Sequence, residues 1–222
     1  MWEPLLLSLR VAIVATLLAV IFGVLIAALL AYWRHPASGL LDAFANLPLV
    51  LPPTVLGYYL LVTWGAQSPL GEFLEELGFP LVFTWRGAVL AAAFVGLPLV
   101  IQSTRAALES VDPNLRDVAK TLGRSDIAIF LSISLPLAWR GLLTGAILAF
   151  ARALGEFGAT LMIAGNIPGK TQTLPIAIYD AVQSGDQSRA NILALGLTLT
   201  AIILLVVIRR LGTRLAGERV NG

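Results

Sequence analysis

Four stretches of this chain, Val11–Trp33, Ala43–Gly71, Gly87–Thr104 and Ala190–Ile208, contain no Asp, Glu, Lys or Arg. A fifth, Gly141–Gly165, breaks its apolar run only with Arg152 and Glu156. The hydrocarbon core of a bilayer takes about 20 apolar residues per helical crossing. These runs are long enough, or nearly so, and rich in Leu, Ala and Val. A transmembrane barrel would instead show segments of about 10 residues alternating in polarity. The pattern predicts an all-α polytopic membrane protein with five spans, at about Leu5–Trp33, Phe44–Trp64, Trp85–Thr104, Leu137–Gly165 and Ala190–Leu211. Composition agrees: 58% of residues are hydrophobic and 13% charged, with mean hydropathy +0.86, against roughly 25% charged in soluble domains. Residues 1–222 read as one transmembrane domain with a polar loop at about 105–135. The first apolar run is too long for a signal-peptide core, and no convincing cleavage site follows it.

Five spans place the chain ends on opposite sides, and basic residues choose the sides. One side collects Arg34, Arg105, Arg116, Lys120, Arg124, Arg140, Arg209, Arg210, Arg214 and Arg219. The other has Arg10, Arg86, Lys170 and Arg189. The first side is expected to be cytoplasmic, with the N-terminus outside and the C-terminus inside. The sequence pI near 9.3 then reflects membrane orientation rather than nucleic-acid binding. With no cysteine, disulfides, iron–sulfur clusters and thiolate zinc sites are excluded.

The loop between Asp112 and Pro136 is patterned. Asp112 suits an N-cap and Pro113 the first helical position. Leu115, Val118, Ala119 and Leu122 recur at i, i+3, i+4 and i+7, an apolar stripe. Arg116 and Lys120 fall on another face. Gly123 suits the residue that ends a helix, and Ser125 suits the cap of a second helix climbing toward Pro136. A short helix of this kind either lies on lipid headgroups or sits in a cleft of another protein, where the small Ala119 permits close approach.

The spacing acid-x-Ala, three residues, Gly, nine residues, Ile-x-Leu-Pro, here Asp117, Ala119, Gly123, Ile133, Leu135 and Pro136, resembles the coupling loop of ABC-importer permeases. Asp117 stands where that pattern has Glu, and Val118 where it has Ala. Leu47–Tyr58, Phe83–Leu90, Phe150–Thr160 and Asn166–Pro175 further resemble the molybdate permease subunits of that family, so that the likeness runs from about Leu40 to Tyr179. Sulfate permeases resemble the chain too, but tend to carry Tyr where Phe157 stands. The resemblance implies a type I importer permease fold in a prokaryotic inner membrane, and a homodimer. It also implies two cytoplasmic ATPase subunits that carry ATP and Mg, and an extracytoplasmic molybdate-binding protein. Molybdate, and with it tungstate, is the implied cargo, with sulfate or thiosulfate as the alternative. The coupling contacts it implies are Leu115, Asp117, Val118, Ala119, Leu122, Gly123, Ile133, Leu135 and Pro136. A motor-free channel or ion-coupled carrier is a different class, and such a protein has no need of this helix.

Independently of the resemblance, the chain has no Gly-x4-Gly-Lys-Ser/Thr phosphate loop. Lys170 follows Pro168-Gly169 but falls in a loop on the side away from the insert. ATP hydrolysis is therefore expected on a partner chain, and no cofactor on this one. No carboxylate pair or Ser/His constellation suggests an enzyme, and the lone His35 suggests no metal site.

Charges within a span default to functional hypotheses because they are expensive there. Arg152 and Glu156, four apart, meet on one helix face: either as an ion pair that fixes packing, or as part of a gate. Pro52 and Pro53 mark a break or a kink in the second span, and broken helices in transporters expose backbone groups to a cavity. An anion path favours hydroxyls and N–H groups over fixed charge. Thr54, Ser103, Thr144 and Thr160 are candidates, although Thr144 is equally placed to bond its own helix. Asn166–Pro175 reads either as a tight connector or as a loop that meets a docked protein or dips toward the pore.

Overall fold

The computed structural model describes the backbone of residues 2–32 and 38–217, with side chains to residue 207. Arg34, His35 and Arg219 lie outside the described residues, and the side chains of Arg209, Arg210 and Arg214 are likewise not described. Every regular element among the described residues is helical. In chain order they are α1 (Trp2–Tyr32), α2 (Ser38–Val50), α3 (Pro53–Trp64), α4 (Pro69–Glu76), α5 (Trp85–Glu109), α6 (Pro113–Thr121), α7 (Asp126–Ile129), α8 (Leu135–Leu154), α9 (Gly158–Ala164), α10 (Leu174–Gln183) and α11 (Gln187–Gly217).

Four continuous helices are long and apolar enough to cross a membrane: α1, α5, a rod over Asp126–Leu154, and α11 over Gln187–Val207. A fifth crossing requires α2 and α3 together, and these bend by 115°. The cause is local. Pro52 and Pro53 lack the N–H that would continue α2. A residue before proline is also driven out of the α region, and Pro52 stands at φ −53°, ψ 136°. Pro53 then opens α3 at the position where a missing N–H costs nothing. Of the two readings of the prolines, break or kink, the structure has the break.

The fourth span departs from expectation at both ends. It was placed at Leu137–Gly165; the helix instead begins at Asp126 and stops at Leu154. Ser125 caps it by accepting the Ala128 N–H, and Pro136 does not end it. Proline's ring clashes with the carbonyl four residues back, here Ser132. Ser132 lies in a π-helical turn, Phe130–Ser134, where the Leu135 N–H reaches back to the Phe130 carbonyl. The widened turn takes up the mismatch, so α7, the π turn and α8 form one rod. At the other end, Gly155–Phe157 is non-helical and α9 is a separate helix.

Small residues set the helix spacing. Ala15, Ala19, Gly23 and Ala27, every fourth residue of α1, are all buried. A β-carbon on Gly23 would stand 2.8 Å from Val100 Cγ1 of α5. Gly145 of α8 comes as close to the backbone of Val100, and a β-carbon there would lie 2.9 Å from its Cα. Lipid tails are as apolar as Leu, so dehydration does not draw these helices together. Close backbone approach and dispersion do. The segment between α3 and α5 contains α4, opened by Ser68, which accepts the Gly71 N–H. α4 presents Leu70, Phe73, Glu72, Glu75 and Glu76 at its surface.

Candidate functional site

Two places concentrate the candidate residues: α6 at one end of the molecule, and the junction of α3, α8 and α9 within it. α6 is defined by its caps. Asp112 accepts the Asn114 N–H at 2.9 Å. At the far end Gly123 adopts φ 77°. Its N–H bonds the Lys120 carbonyl, and the Arg124 N–H bonds the Ala119 carbonyl. That pair of bonds is the Schellman ending, which requires a left-handed residue at the glycine position. Lys120 pairs with Asp126 across the turn at 2.9 Å, linking α6 to the rod.

The two faces of α6 differ from the expected single stripe. Leu115, Val118 and Leu122 are exposed, Leu122 at 78%. Ala119 is 6% exposed and turned toward the rest of the protein. Arg116 shares that inner side: its guanidinium lies 3.8 Å from the centre of the Tyr32 ring. Ala119 is thus the small residue that lets α6 lie close to its own domain, and the outward apolar surface is built from the three larger side chains. Asp117 is exposed beside them. Ile133 and Leu135 are half-buried in the rod and Pro136 is exposed there. Isolated apolar residues on a surface are ordinary. Three on one short helix at the end of a membrane protein form a face that a partner can cover.

At the junction, Glu156 is 2% exposed. One carboxylate oxygen accepts the Ala159 N–H at 2.9 Å, capping the first turn of α9. The other lies 2.6 Å from Arg152 Nη1, as an ionic contact outside good hydrogen-bond alignment. A carboxylate in an apolar interior survives only when paired and bonded; here it joins the end of α8 to the start of α9. Gly158 meets α3, and a β-carbon on it would stand 3.2 Å from Pro53 Cβ and 3.4 Å from the Thr54 nitrogen. Two helix breaks, one made by prolines and one by Gly155–Phe157, therefore abut. Thr160 is buried on α9, and Thr54 is exposed at the start of α3.

The structure brings together Pro52, Pro53, Thr54, Arg152, Glu156 and Thr160, and leaves out two candidates. Ser103 packs between α5 and α8, against Gly145. Thr144 donates its hydroxyl to the Arg140 carbonyl of its own helix. The Asn166–Pro175 segment is held together by its own hydrogen bonds, with Pro168, Gly169 and Lys170 exposed at its tip. The Ile167 carbonyl accepts N–H groups from Lys170, Thr171 and Gln172. The Gln172 amide, 4% exposed, donates to Asn166 and Asp180. The buried Ser8 hydroxyl accepts the Leu174 N–H at 2.7 Å, tying this segment to α1. Sequence reasoning passed over Asp180 and Tyr32. A lone polar residue on an apolar helix, or a Tyr at a helix end, has no spacing that marks it.

A polytopic helical domain with a capped surface helix at one end and broken helices inside defines a class: transporter membrane subunits. The profile described as "Binding-protein-dependent transport system inner membrane component" matches residues 19–217, and the chain belongs to that family. It is 45% identical over 208 residues to the Molybdenum transport system permease protein ModB of Escherichia coli K12, covering 92% of this chain and 91% of that one. Over 190 residues it is 46% identical to a putative molybdenum transport system permease protein, YvgM, of Bacillus subtilis, covering 85% and 84%. Identity to the Sulfate transport system permease protein CysT of Salmonella typhimurium is 35% over 215 residues, covering 97% and 77%. Among solved structures, an inward-facing MetNI methionine ABC transporter superposes with TM-score 0.74 at 17% identity, covering 96% of each chain. A bacterial alginate ABC transporter bound to its periplasmic protein gives 0.75 at 13%, covering 96% and 78%. These likenesses establish the fold as that of ABC importer permeases.

Proposed function

We propose that this chain is the membrane subunit of an ATP-driven molybdate importer, and that it works as a homodimer with two ATPase subunits and an extracytoplasmic molybdate-binding protein. The observation that carries the substrate is the gradient of identity, 45–46% to molybdenum permeases against 35% to a sulfate permease, over most of the chain in each case. Coupling is assigned to the exposed Leu115–Val118–Leu122 face of α6, which takes up a cleft on the ATPase. The α6 end is cytoplasmic, because Arg105, Arg116, Lys120, Arg124 and Arg140 gather there.

Physical need fits the assignment. A dianion entering an inside-negative cell moves against the potential, at about 2.3 kcal/mol per charge per 100 mV. Scavenging a dilute anion adds about 1.4 kcal/mol per tenfold of accumulation. The chain itself has no phosphate loop, so a partner must supply the energy. ATP binding draws the two α6 helices together, and the broken-helix junction is where the path responds. The hinge there is Gly155–Phe157, which Glu156 and Arg152 hold in register.

The experiment is ATP hydrolysis by the complex reconstituted in liposomes, with and without loaded binding protein. Stimulation by the molybdate-loaded protein and not by sulfate supports the full reading. Equal stimulation by both anions makes the importer a general oxyanion system. Failure of the two chains to associate refutes the role given to α6.

A further inference from the structure

Tyr32 is the last described residue of α1, and three elements meet on its ring. The Arg116 guanidinium of α6 lies 3.8 Å from the ring centre. Phe130, the first residue of the π turn, meets it edge to face at 6.5 Å between centroids. Tyr32 and Phe130 also pack with Leu30, Leu108 and Ala138, so the ring is seated in a cluster that joins α1, α5 and the rod. Beside it, between the end of α1 and α6, lies a cleft of 260 Å³ lined by Ala31, Tyr32, Pro113, Arg116 and Asp117. Around this cleft α6 reaches α1 through the stack of Arg116 on Tyr32. Among the described residues no carboxylate forms an ion pair with Arg116.

The element beneath the ring is the π turn Phe130–Ser134. A π turn differs from an α turn by one residue of register, and such turns are where helices shift or bend. Among the described residues the packing gives two buried hydroxyls, Tyr32 Oη and Ser134 Oγ, no hydrogen-bond partner. Ser134 closes the π turn. A buried hydroxyl left unpaired is costly, and such groups mark places where a structure stores strain. The Tyr32 hydroxyl contributes nothing to the seat, whereas its ring contributes both the cation contact and the aromatic edge.

We propose that Tyr32 is a positioning residue for coupling: it passes displacement of α6 to the end of α1 and to the π turn, and so to the rod that carries Arg152 in its last turn. The inference rests on the importer reading above and names the internal link which that reading lacks. The cation–π attraction holds Arg116 against the ring, and the edge-to-face contact joins the ring to Phe130 of the π turn, so that α6, α1 and the rod meet through one side chain.

The test uses the reconstituted complex, with Tyr32→Phe, Tyr32→Leu, Arg116→Gln and the double variant Tyr32→Leu/Arg116→Gln. Complex assembly and basal ATP hydrolysis are expected to be unchanged in all four. Stimulation by the molybdate-loaded binding protein is expected to persist in Tyr32→Phe and to fall about tenfold in Tyr32→Leu, the size of an ordinary coupling free energy. Arg116→Gln should show a comparable loss, and the double variant no further loss, because both act through one contact. Full stimulation in Tyr32→Leu would overturn the proposal. So would a defect in Tyr32→Phe equal to that of Tyr32→Leu, or additive losses in the double variant. If Tyr32→Leu does not assemble, Arg116→Gln decides alone, and normal stimulation there is the contrary result. An unstimulated wild-type complex would instead remove the importer reading, and this inference with it.

Discussion

Burying Glu156 takes a carboxylate away from water, and among the described residues Arg152 and the Ala159 N–H answer its charge. Removing one partner of such a pair is worse than removing both, because it strands the other. Arg152→Ala is therefore predicted to lower stability in detergent by about 2–3 kcal/mol, less than a fully enclosed pair loses, since Arg152 is partly exposed. Adding Glu156→Gln should recover most of that loss, since the amide oxygen still accepts from Ala159. Thermal unfolding of the single and double variants checks this, and equal midpoints would count against a buried, charged Glu156. Glu156→Gln alone is predicted to alter gating or assembly without shifting the ratio of molybdate to sulfate uptake. Gly57 makes a separate residue-scale prediction. A β-carbon there would stand 2.8 Å from Ala159 Cα, so Gly57→Leu should push α3 off α9 and abolish transport. Substitution at Gly39, which has open space around it, should be silent in the same assay.

At the scale of elements, α6 has two faces with different work. Leu122→Asp on the outer face is predicted to prevent co-purification with the ATPase while the subunit still inserts and folds. Ala119→Trp on the inner face should leave that outer surface intact but lift α6 from its own domain, so that ATPase association survives and transport does not. Pull-down and uptake measured on the same two variants separate these outcomes. Gly123→Pro should also abolish transport, because proline's φ near −65° cannot supply the observed 77°. Most long helices were legible because charge-free runs measure the bilayer directly, and α6 was legible through its capping residues. The rod was misplaced at both ends for a physical reason. Asp126 and Arg140 interrupt the apolar run without interrupting the helix. Gly155 and Glu156 interrupt the helix inside an apolar run, because Glu156 turns its carboxylate to cap the next one. Ala119 was assigned to the docking stripe because periodicity alone does not say which edge of a stripe faces inward.

Over the whole molecule, the outer face of α6 and the broken-helix junction lie near opposite ends of one continuous rod. The rod starts beside α6 and carries in its last turn Arg152, which pairs with Glu156. Small-residue packing of α1 and α8 against α5 holds this rod in a closely fitted frame. Thr144 bonds the Arg140 carbonyl of its own helix and Ser103 lies against Gly145, local uses that no hydroxyl reveals by its position in sequence. The central claim is that this frame moves molybdate at the expense of ATP on a partner chain. The most direct measurement is accumulation of labelled molybdate in proteoliposomes holding the complete complex, with ATP on the ATPase side and loaded binding protein on the other. The account predicts ATP-dependent accumulation that excess sulfate does not suppress and that Leu122→Asp abolishes. Accumulation without ATP, or unaltered by Leu122→Asp, would contradict it.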